Sequence, residues 1–116
     1  MRFKMVSKHV NEFVNIERKA YGNGVLALLL LDDHGIPVAI PSVNISPESA
    51  PIPDEGYTYI KLYAESEGML ESLIENGVVV DTGERVVLNE FGSQCALVKV
   101  LDPRVEPSPL FEQDEP

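Results

Sequence analysis

Short apolar stretches separated by turn residues recur along the chain, and this pattern predicts strands joined mostly by tight turns. Strands are predicted for residues 13–21, 25–31, 57–63 and 94–101. Residues 2–6 predict an edge strand or an arm, and residues 78–88 predict one or two short strands with a turn at residues 81–83. Residues 36–45 also have strand composition, but Pro37 and Pro41 lack the N–H that a central strand donates. We therefore expect this stretch to lie at a sheet edge or to contain a bulge.

Two turns and the strand between them have the clearest local patterns. Gly22, Asn23 and Gly24 accept positive φ, which favours a tight hairpin turn, and residues 32–35 predict the next turn. Residues 25–31 are apolar at every position, which is typical of a central strand covered on both faces. The predicted helix would cover one face. The other face requires cover from the rest of the chain or from a second subunit.

Residues 65–77, ESEGMLESLIENG, contain the predicted helix. Ser66 or Glu65 is expected to accept the first free N–H groups, and Asn76-Gly77 is a typical helix stop. A helix of about ten residues is marginal alone, so its apolar side chains must pack on the sheet. These side chains are Met69, Leu70, Leu73 and Ile74. The predicted fold is α+β: an antiparallel, hairpin-rich sheet of five or six strands with one amphipathic helix packed on one face.

Length and composition place these elements in a single domain. The chain has 116 residues, of which 44% are hydrophobic, enough for one core. Residues 1–101 form the predicted domain. Residues 102–116 contain four prolines and five acids with almost no hydrophobic pattern, which predicts a disordered acidic C-terminal tail. A lone cysteine and an N-terminus without signal-peptide character predict a cytoplasmic protein.

Net charge narrows the class of partner. Nineteen acids against nine bases give −10, which argues against direct binding to nucleic acid or to an anionic membrane, because those ligands are themselves negative. A basic protein or a ribonucleoprotein is therefore the expected partner.

The residues that usually carry catalysis do not form a recognisable site in the sequence. Cys95 lies in an apolar strand pattern typical of a small buried hydrophobe. His9 lies near the terminus and His34 in a turn, so neither is placed as a base beside a nucleophile. Spacings typical of transition-metal ligands and of phosphate-binding loops are missing. We predict that the protein is not an enzyme and uses no metal or cofactor.

The glutamates of the predicted helix form the first candidate binding site. Glu67, Glu71 and Glu75 recur every fourth residue, whereas a typical solvent-facing helix mixes both signs of charge. Like charges at this spacing cost a few tenths of a kcal/mol per pair. These carboxylates would be about 6 Å apart along the helix, so the row is similar to a short series of phosphates along one nucleic-acid strand. Three further acids extend the negative region: Glu65, Asp81 and Glu84. An ordinary solvent-facing helix surface is the alternative.

Tyr57, Tyr59 and Tyr63 form the second candidate site. They share one face of the strand predicted for residues 57–63, and the opposite face carries Thr58, Ile60 and Leu62. The second face is the expected core, which leaves the tyrosines at or near the surface. Tyrosine is typical of protein interfaces there, although the three side chains could instead cap the sheet edge.

The order of elements resembles that of a family of short, uncharacterised bacterial and phage proteins. The matching segments are "YGNGVLALLLLDDHGIPVAIPSVNI" and "LIENGVVVDTG", and the resemblance covers residues 20–101. In that family a strand of the type "LALQLVDEDGEPYATLTVNL" precedes "FLEENGLVEPTG". The resemblance implies carriage by phages, plasmids or integrated elements, with no catalytic residues to transfer. Leu29, Leu30 and Leu31 depart from the family's alternation, which favours an interface at this strand.

Two functional hypotheses follow. The first is an inhibitory binding protein, encoded by a phage or mobile element, that acts in the bacterial cytosol. It would engage a nucleic-acid-binding defence complex, such as a CRISPR effector, through an acidic surface that mimics nucleic acid. The alternative is an assembly module that forms a homodimer through the apolar central strand and the tyrosine face, with no inhibitory role.

Overall fold

The described residues of this computed structural model, 2–88, 92–101 and 108–109, form nine strands and one α-helix. The elements are β1 (Arg2–Val6), β2 (Asn11–Ala20), β3 (Leu26–Leu31), β4 (Pro37–Ala39), β5 (Ser42–Val43), β6 (Tyr57–Lys61), a 3₁₀ turn (Ala64–Ser66), α1 (Met69–Glu75), β7 (Val79–Val87), β8 (Gln94–Val100) and β9 (Ser108–Pro109). The predicted α+β class is confirmed. Of the predicted tail, residues 102–107 and 110–116 lie outside the described residues.

The strands form two antiparallel sheets, not the single sheet predicted from the sequence. Sheet A has the order β1-β2-β3-β4, and sheet B has the order β5-β6-β8-β7. The two-residue β9 joins sheet A by pairing in parallel with β2. The sheets face each other across the main core, so the inner face of β3 is covered by sheet B and not by the helix.

Both predicted turns are confirmed by backbone hydrogen bonds. Gly24 N donates to Tyr21 O at 2.8 Å and closes the turn between β2 and β3. Asp32 Oδ1 accepts hydrogen bonds from His34 N at 2.8 Å and from Ile36 N at 2.9 Å. An aspartate side chain that binds the backbone two residues ahead is a common stabiliser of such turns.

Residues 36–45 carry the chain from one sheet to the other. β4 and β5 are edge strands of different sheets, and the fully buried Pro41 lies between them. β4 pairs with β3 only at Leu30 and Leu31. Farther along β3, Leu28 N donates to Ser42 Oγ at 2.9 Å, so the Ser42 side chain provides the acceptor that β4 does not. The edge position predicted from the prolines is confirmed, but it is realised as two short strands.

The main core lies between the two sheets and is built mostly from aliphatic side chains, with Phe3 as its buried aromatic member. Its fully buried members include Met5, Val14, Leu28, Leu30, Ile60 and Val98. A second buried polar contact joins the two sheets, where Thr58 Oγ1 donates to Leu26 O at 2.7 Å. Leu29 and Leu31 point to the other side of β3 and are half-buried. From Leu28 to Leu31 the apolar central strand therefore alternates in burial although it does not alternate in polarity.

The helix lies at the open side of the two-sheet structure, where α1 contacts both β1 and β7. Those are the edge strands of the two sheets on this side. Val6 N donates to Ser72 Oγ at 3.2 Å, and Ser72 Oγ donates to Lys4 O at 3.4 Å. Ser72 thus takes the place of a neighbouring strand along β1 and shields that edge. The predicted packing of the helix is confirmed in part, because Met69, Leu70 and Leu73 are buried in the main core. The helix closes the open side between the two sheets, however, and sheet B covers the inner face of sheet A.

α1 has seven residues and is shorter than predicted because Gly68 precedes its first turn in a left-handed conformation. Gly68 has φ +89°, and a side chain there would meet Lys8 N at 3.2 Å. Glu65 and Ser66 belong to the preceding 3₁₀ turn, and neither caps α1 within the described residues. The predicted cap is therefore wrong. A glycine is required at this bend because positive φ is costly for other residues.

Candidate partner-binding surface

The fold breaks the predicted row of three glutamates. Glu67 precedes Gly68 and lies outside α1. The spacing of about 6 Å along a helix therefore holds only between Glu71 and Glu75. The predicted phosphate-like track is reduced to two carboxylates, because the chain turns at Gly68 before the helix begins.

Three of the six predicted acids are held in ion pairs. The pairs are Glu65 with Lys61 at 2.7 Å, Glu67 with Lys8 at 3.1 Å, and Asp81 with Arg85 at 2.7 Å. Hydrogen bonding from Lys61 is the main cause that lowers the pKa of Glu65. Hydrogen bonding from Arg85, which contacts both carboxylate oxygens, lowers the pKa of Asp81 in the same way. A basic partner would have to compete with these internal cations.

The other three acids, Glu71, Glu75 and Glu84, are exposed and form no ion pair within the described part of the chain. Glu71 faces the β7 side of α1. The pKa of Arg85 is raised mainly by its hydrogen bond to Asp81, and the charge of Glu71 adds to that effect. These three carboxylates are the part of the predicted acidic site that stays available to a partner.

Ile74 lies beside the unpaired glutamates on the exposed side of α1. Its side chain is 41% exposed, so the prediction that it packs on the sheet is wrong. Ser72 is buried in its place, because the helix turns that side toward the edge of β1. We call the exposed surface formed by Glu71, Ile74 and Glu75 the acidic ridge. The sequence did not reveal Ile74 as a surface residue, since its spacing from Leu70 and Leu73 fits an ordinary buried stripe.

Tyr59 does not belong to an exposed tyrosine row. It is 3% exposed, and its hydroxyl donates to Pro51 O at 2.9 Å. Tyr57 and Tyr63 are half-buried. The predicted division of the strand into two faces is right, since Thr58 and Ile60 are fully buried in the core. The prediction that the tyrosine face is exposed is wrong at Tyr59.

A second apolar cluster covers the outer face of sheet B, which is the face turned away from the main core. Ala50, Tyr59 and Cys95 are its buried members. Half-buried side chains surround them: Val43, Ile45, Tyr63, Val86, Leu88 and Leu97. Ala50 comes from the segment of residues 46–56, which contains Pro47, Pro51 and Pro53. That segment supplies the cover that buries Tyr59.

The side chains weighed as candidate catalysts are not assembled into a site. Cys95 is fully buried, as expected for a small hydrophobe, and burial raises the pKa of its thiol. His9 and His34 are exposed. Among the described residues, no three histidine, cysteine or acidic side chains are grouped to hold a metal ion.

Within the same described ranges, no helix is long and apolar enough to cross a membrane. Comparison with known proteins found no match to the chain among family models, curated proteins or solved structures.

Proposed function

We propose that the protein is a non-catalytic binding protein that engages a basic partner through the acidic ridge of α1. The supporting observation is that Glu71 and Glu75 form no ion pair with any described residue, while neighbouring acids are paired with Lys8, Lys61 and Arg85. Two like charges one turn apart destabilise an isolated helix by a few tenths of a kcal/mol. A cationic partner would remove that cost and gain the attraction of both carboxylates.

Ile74 gives the ridge an apolar contact between its two charges. An aliphatic side chain that is 41% exposed can bury further area against a partner. Charged groups at the edge of an interface mainly steer association, while a desolvated centre contributes most of the affinity. The ridge combines both kinds of contact on one rigid element. Glu84, on β7, would extend the attraction toward sheet B.

The proposed biological role is inhibition of a host nucleic-acid-binding defence complex by a phage- or mobile-element protein. The groove that such a complex uses for nucleic acid is lined by lysine and arginine, which are complementary to the ridge. Direct binding of the protein to nucleic acid is not part of the proposal, because a net charge of −10 opposes it. A CRISPR effector ribonucleoprotein is the partner class that we would test first.

The experiment compares two double charge reversals that change net charge equally. E71K/E75K reverses the unpaired acids of the ridge, and E65K/E67K reverses two acids that already have internal cations. Binding to purified CRISPR effector complexes is measured by biolayer interferometry at low and high salt. E71K/E75K should lower affinity by about tenfold or more and flatten the salt dependence, because it removes steering and contact charges.

E65K/E67K should have the smaller effect, because its acids are already partly neutralised. Equal affinity for wild type and E71K/E75K, on any complex that binds, would show that the ridge is not the contact. If the protein binds none of the effector complexes tested, the proposed inhibitory role is wrong. The protein would then be a binding protein whose partner belongs to another class.

A second candidate function, self-association through the outer face of sheet A, is favoured by a separate observation. Leu29 and Leu31 are half-buried there, and Phe13 and Val6 on the same face are 47% and 54% exposed. Tyr59 cannot contribute, since it is buried under residues 46–56. This function predicts a homodimer in light scattering that L29S/F13S converts to monomer. A monomer at high concentration would contradict it.

A further inference from the structure

β7 differs from the other strands that lie at the ends of the two sheets, which are β1, β4 and β5. β4 has three residues and β5 has two. β1 is shielded, because Ser72 of α1 binds its backbone at Lys4 and Val6. β7 has nine residues, and among the described strands it pairs with β8 alone. A long edge strand presents backbone groups that can pair with a further strand.

The hydrogen bonds to β8 determine which backbone groups of β7 point outward. Leu88 N, directly after β7, donates to Ser93 O at 2.8 Å. In an antiparallel pair, positions bonded in this way alternate with positions whose N–H and C=O point away from the partner strand. Val86 is therefore bonded to β8, whereas Arg85 and Val87 direct their N–H and C=O away from it.

The beginning of β7 is less open than its end. Val78 N, just before the strand, donates to Leu73 O at 2.9 Å, so α1 lies against the first residues of β7. The register with β8 then shifts between Asp81 and Arg85. An irregularity of this kind bends an edge strand and interrupts regular pairing. The open part of the edge is therefore residues 85–87.

Apolar side chains lie on both faces of this open segment. Val87 is on one face and is 59% exposed. Val86 and Leu88 are on the other face and are half-buried members of the second apolar cluster. The side chains of an added strand would alternate between these faces, so each face would gain an apolar contact.

Carboxylates without an ion pair among the described residues also lie on both faces. The pKa of Arg85 is raised mainly by its hydrogen bond to Asp81, and the nearby charge of Glu71 adds to this effect from the α1 side. Burial is the main cause that raises the pKa of Tyr59, and the charge of Glu84 adds to it on the outer face of sheet B. An added strand with cations on both of its faces would therefore be attracted from both sides.

We propose that residues 85–87 of β7 form a strand-addition site whose occupant is an extended segment of the basic partner, with lysine or arginine on both faces. The N–H and C=O groups of Arg85 and Val87 pair with the backbone of that segment, and Glu71 and Glu84 attract its cations. The open backbone edge defines the site, and the acids only select the charge of its occupant. This inference rests on the proposed function for the charge of the partner and adds how the partner is held.

The probe is a short peptide in which pairs of lysines alternate with pairs of valines, so each face of the extended peptide carries both residue types. It is titrated into the isotope-labelled full chain and followed by NMR. The amides of Arg85 and Val87 should shift and gain about tenfold protection from hydrogen exchange, the effect of one added hydrogen bond. Added salt should weaken the binding.

A peptide of the same sequence with methylated backbone nitrogens at alternate positions is the control on the peptide side. It keeps the charge but loses the donors that strand pairing needs, so it should bind about tenfold more weakly. Because this comparison uses the wild-type protein, it does not depend on the folding of any variant.

V87P is the corresponding change in the protein. It removes the outward N–H of Val87 and leaves the hydrogen bonds to β8 in place, since proline is tolerated where an edge strand faces solvent. It should lower the affinity for the peptide by about tenfold. V87A is the matched control, because it keeps the N–H and loses only part of an apolar contact, which should cost about threefold or less.

The outcomes separate this site from the acidic ridge. Weaker binding in V87P with unchanged binding in E71K/E75K supports strand addition and counts against the ridge. Shifts confined to α1, or equal affinity for the two peptides, overturn strand addition and leave the ridge as the contact. Protection of the Val87 amide that rises with protein concentration, without peptide, also overturns the proposal, because the occupant would then be a second copy.

Discussion

Phe13 and Tyr59 both point away from the main core, from sheet A and sheet B respectively, yet Phe13 is 47% exposed and Tyr59 is 3% exposed. Phe13 is covered in part by Arg2, whose guanidinium lies 4.2 Å from the ring centre. Arg2 is held in turn by Asp33 at 2.9 Å. Tyr59 is covered by residues 46–56 and donates a hydrogen bond to Pro51 O.

The difference shows that the outer face of a sheet is buried only where another segment folds over it. On sheet A, charged side chains cover the aromatic ring and stay in water themselves. On sheet B, a proline-rich segment lies over the strands and creates a second apolar cluster. Stiff segments lose less conformational entropy when they dock, so the prolines of residues 46–56 favour that arrangement.

Truncating the two aromatic rings should give the largest contrast. Y59A should lower the free energy of unfolding by about 3–5 kcal/mol, because it empties a buried site in the second cluster. F13A should cost about 1 kcal/mol or less, since it removes an exposed ring and one cation–π contact. Urea unfolding monitored by circular dichroism measures both. Equal losses would mean that residues 46–56 do not contribute to stability.

Y59F tests the hydrogen bond that joins sheet B to its cover. It keeps the ring and leaves Pro51 O without its donor, which should cost about 1 kcal/mol. Limited proteolysis of residues 46–56 should accelerate in Y59F but not in F13A. If the rate of proteolysis is unchanged in Y59F, apolar packing alone holds residues 46–56 over sheet B.

Alkaline pH should destabilise the protein in part through Tyr59 on the outer face of sheet B, whereas Phe13 on sheet A has no group that titrates. Burial, with the charges of Glu84 and Cys95 adding, raises the pKa of Tyr59 above its usual value of 10.0. Because the folded-state pKa lies above that of the unfolded chain, stability is complete below about pH 10 and falls as pH rises through the folded-state pKa.

Y59F should remove part of the loss of stability at alkaline pH. F13Y is the control, because an exposed phenol on sheet A should add none. Urea midpoints measured across the alkaline range test both variants. An identical alkaline fall in wild type and Y59F would show that Tyr59 titrates as it does in the unfolded chain.

Acid pH gives the smallest expected effect and compares two arginine–aspartate pairs. Hydrogen bonding from Arg2 lowers the pKa of Asp33, and hydrogen bonding from Arg85 lowers that of Asp81. A folded-state pKa below the unfolded value means that each pair stabilises the protein above about pH 4. The contribution is lost as pH falls through the folded-state pKa.

D33N and D81N should therefore be less stable than wild type at neutral pH and equal to it in strong acid. D81N should show the larger difference, because the Asp81 side chain is 24% exposed and that of Asp33 is 50% exposed. Urea unfolding at neutral and acid pH measures both variants. A larger effect of D33N would mean that solvent exposure does not determine which ion pair contributes more to stability.

Local elements were predictable because their determinants are adjacent in sequence. The turn at Gly22, Asn23 and Gly24 follows from residues that accept positive φ, and a strand lies at every stretch where one was predicted. The split of residues 36–45 was only half predictable. Two prolines indicate an edge, but nothing local indicates that the chain changes sheets at Pro41.

The candidate site was less predictable than the strands. The glutamates were found from their spacing, but Gly68 removed Glu67 from the helix, and the unneutralised acids were not distinguishable in the sequence. The ion pair of Glu67 with Lys8 joins residues far apart in the chain, so it depends on how β1 and α1 pack. Ile74 became a surface residue for the same reason, because the position of Ser72 against β1 sets the rotation of the helix.

By itself the sequence determined where strands and turns form, that the fold is α+β, and that the protein is strongly acidic. Those properties depend on residue type and near neighbours. Only the tertiary structure decided that there are two sheets, that Tyr59 is buried while Phe13 is exposed, and which glutamates form ion pairs. Alternation along a strand specifies that its two faces differ, but what covers each face is set by contacts between segments distant in the chain.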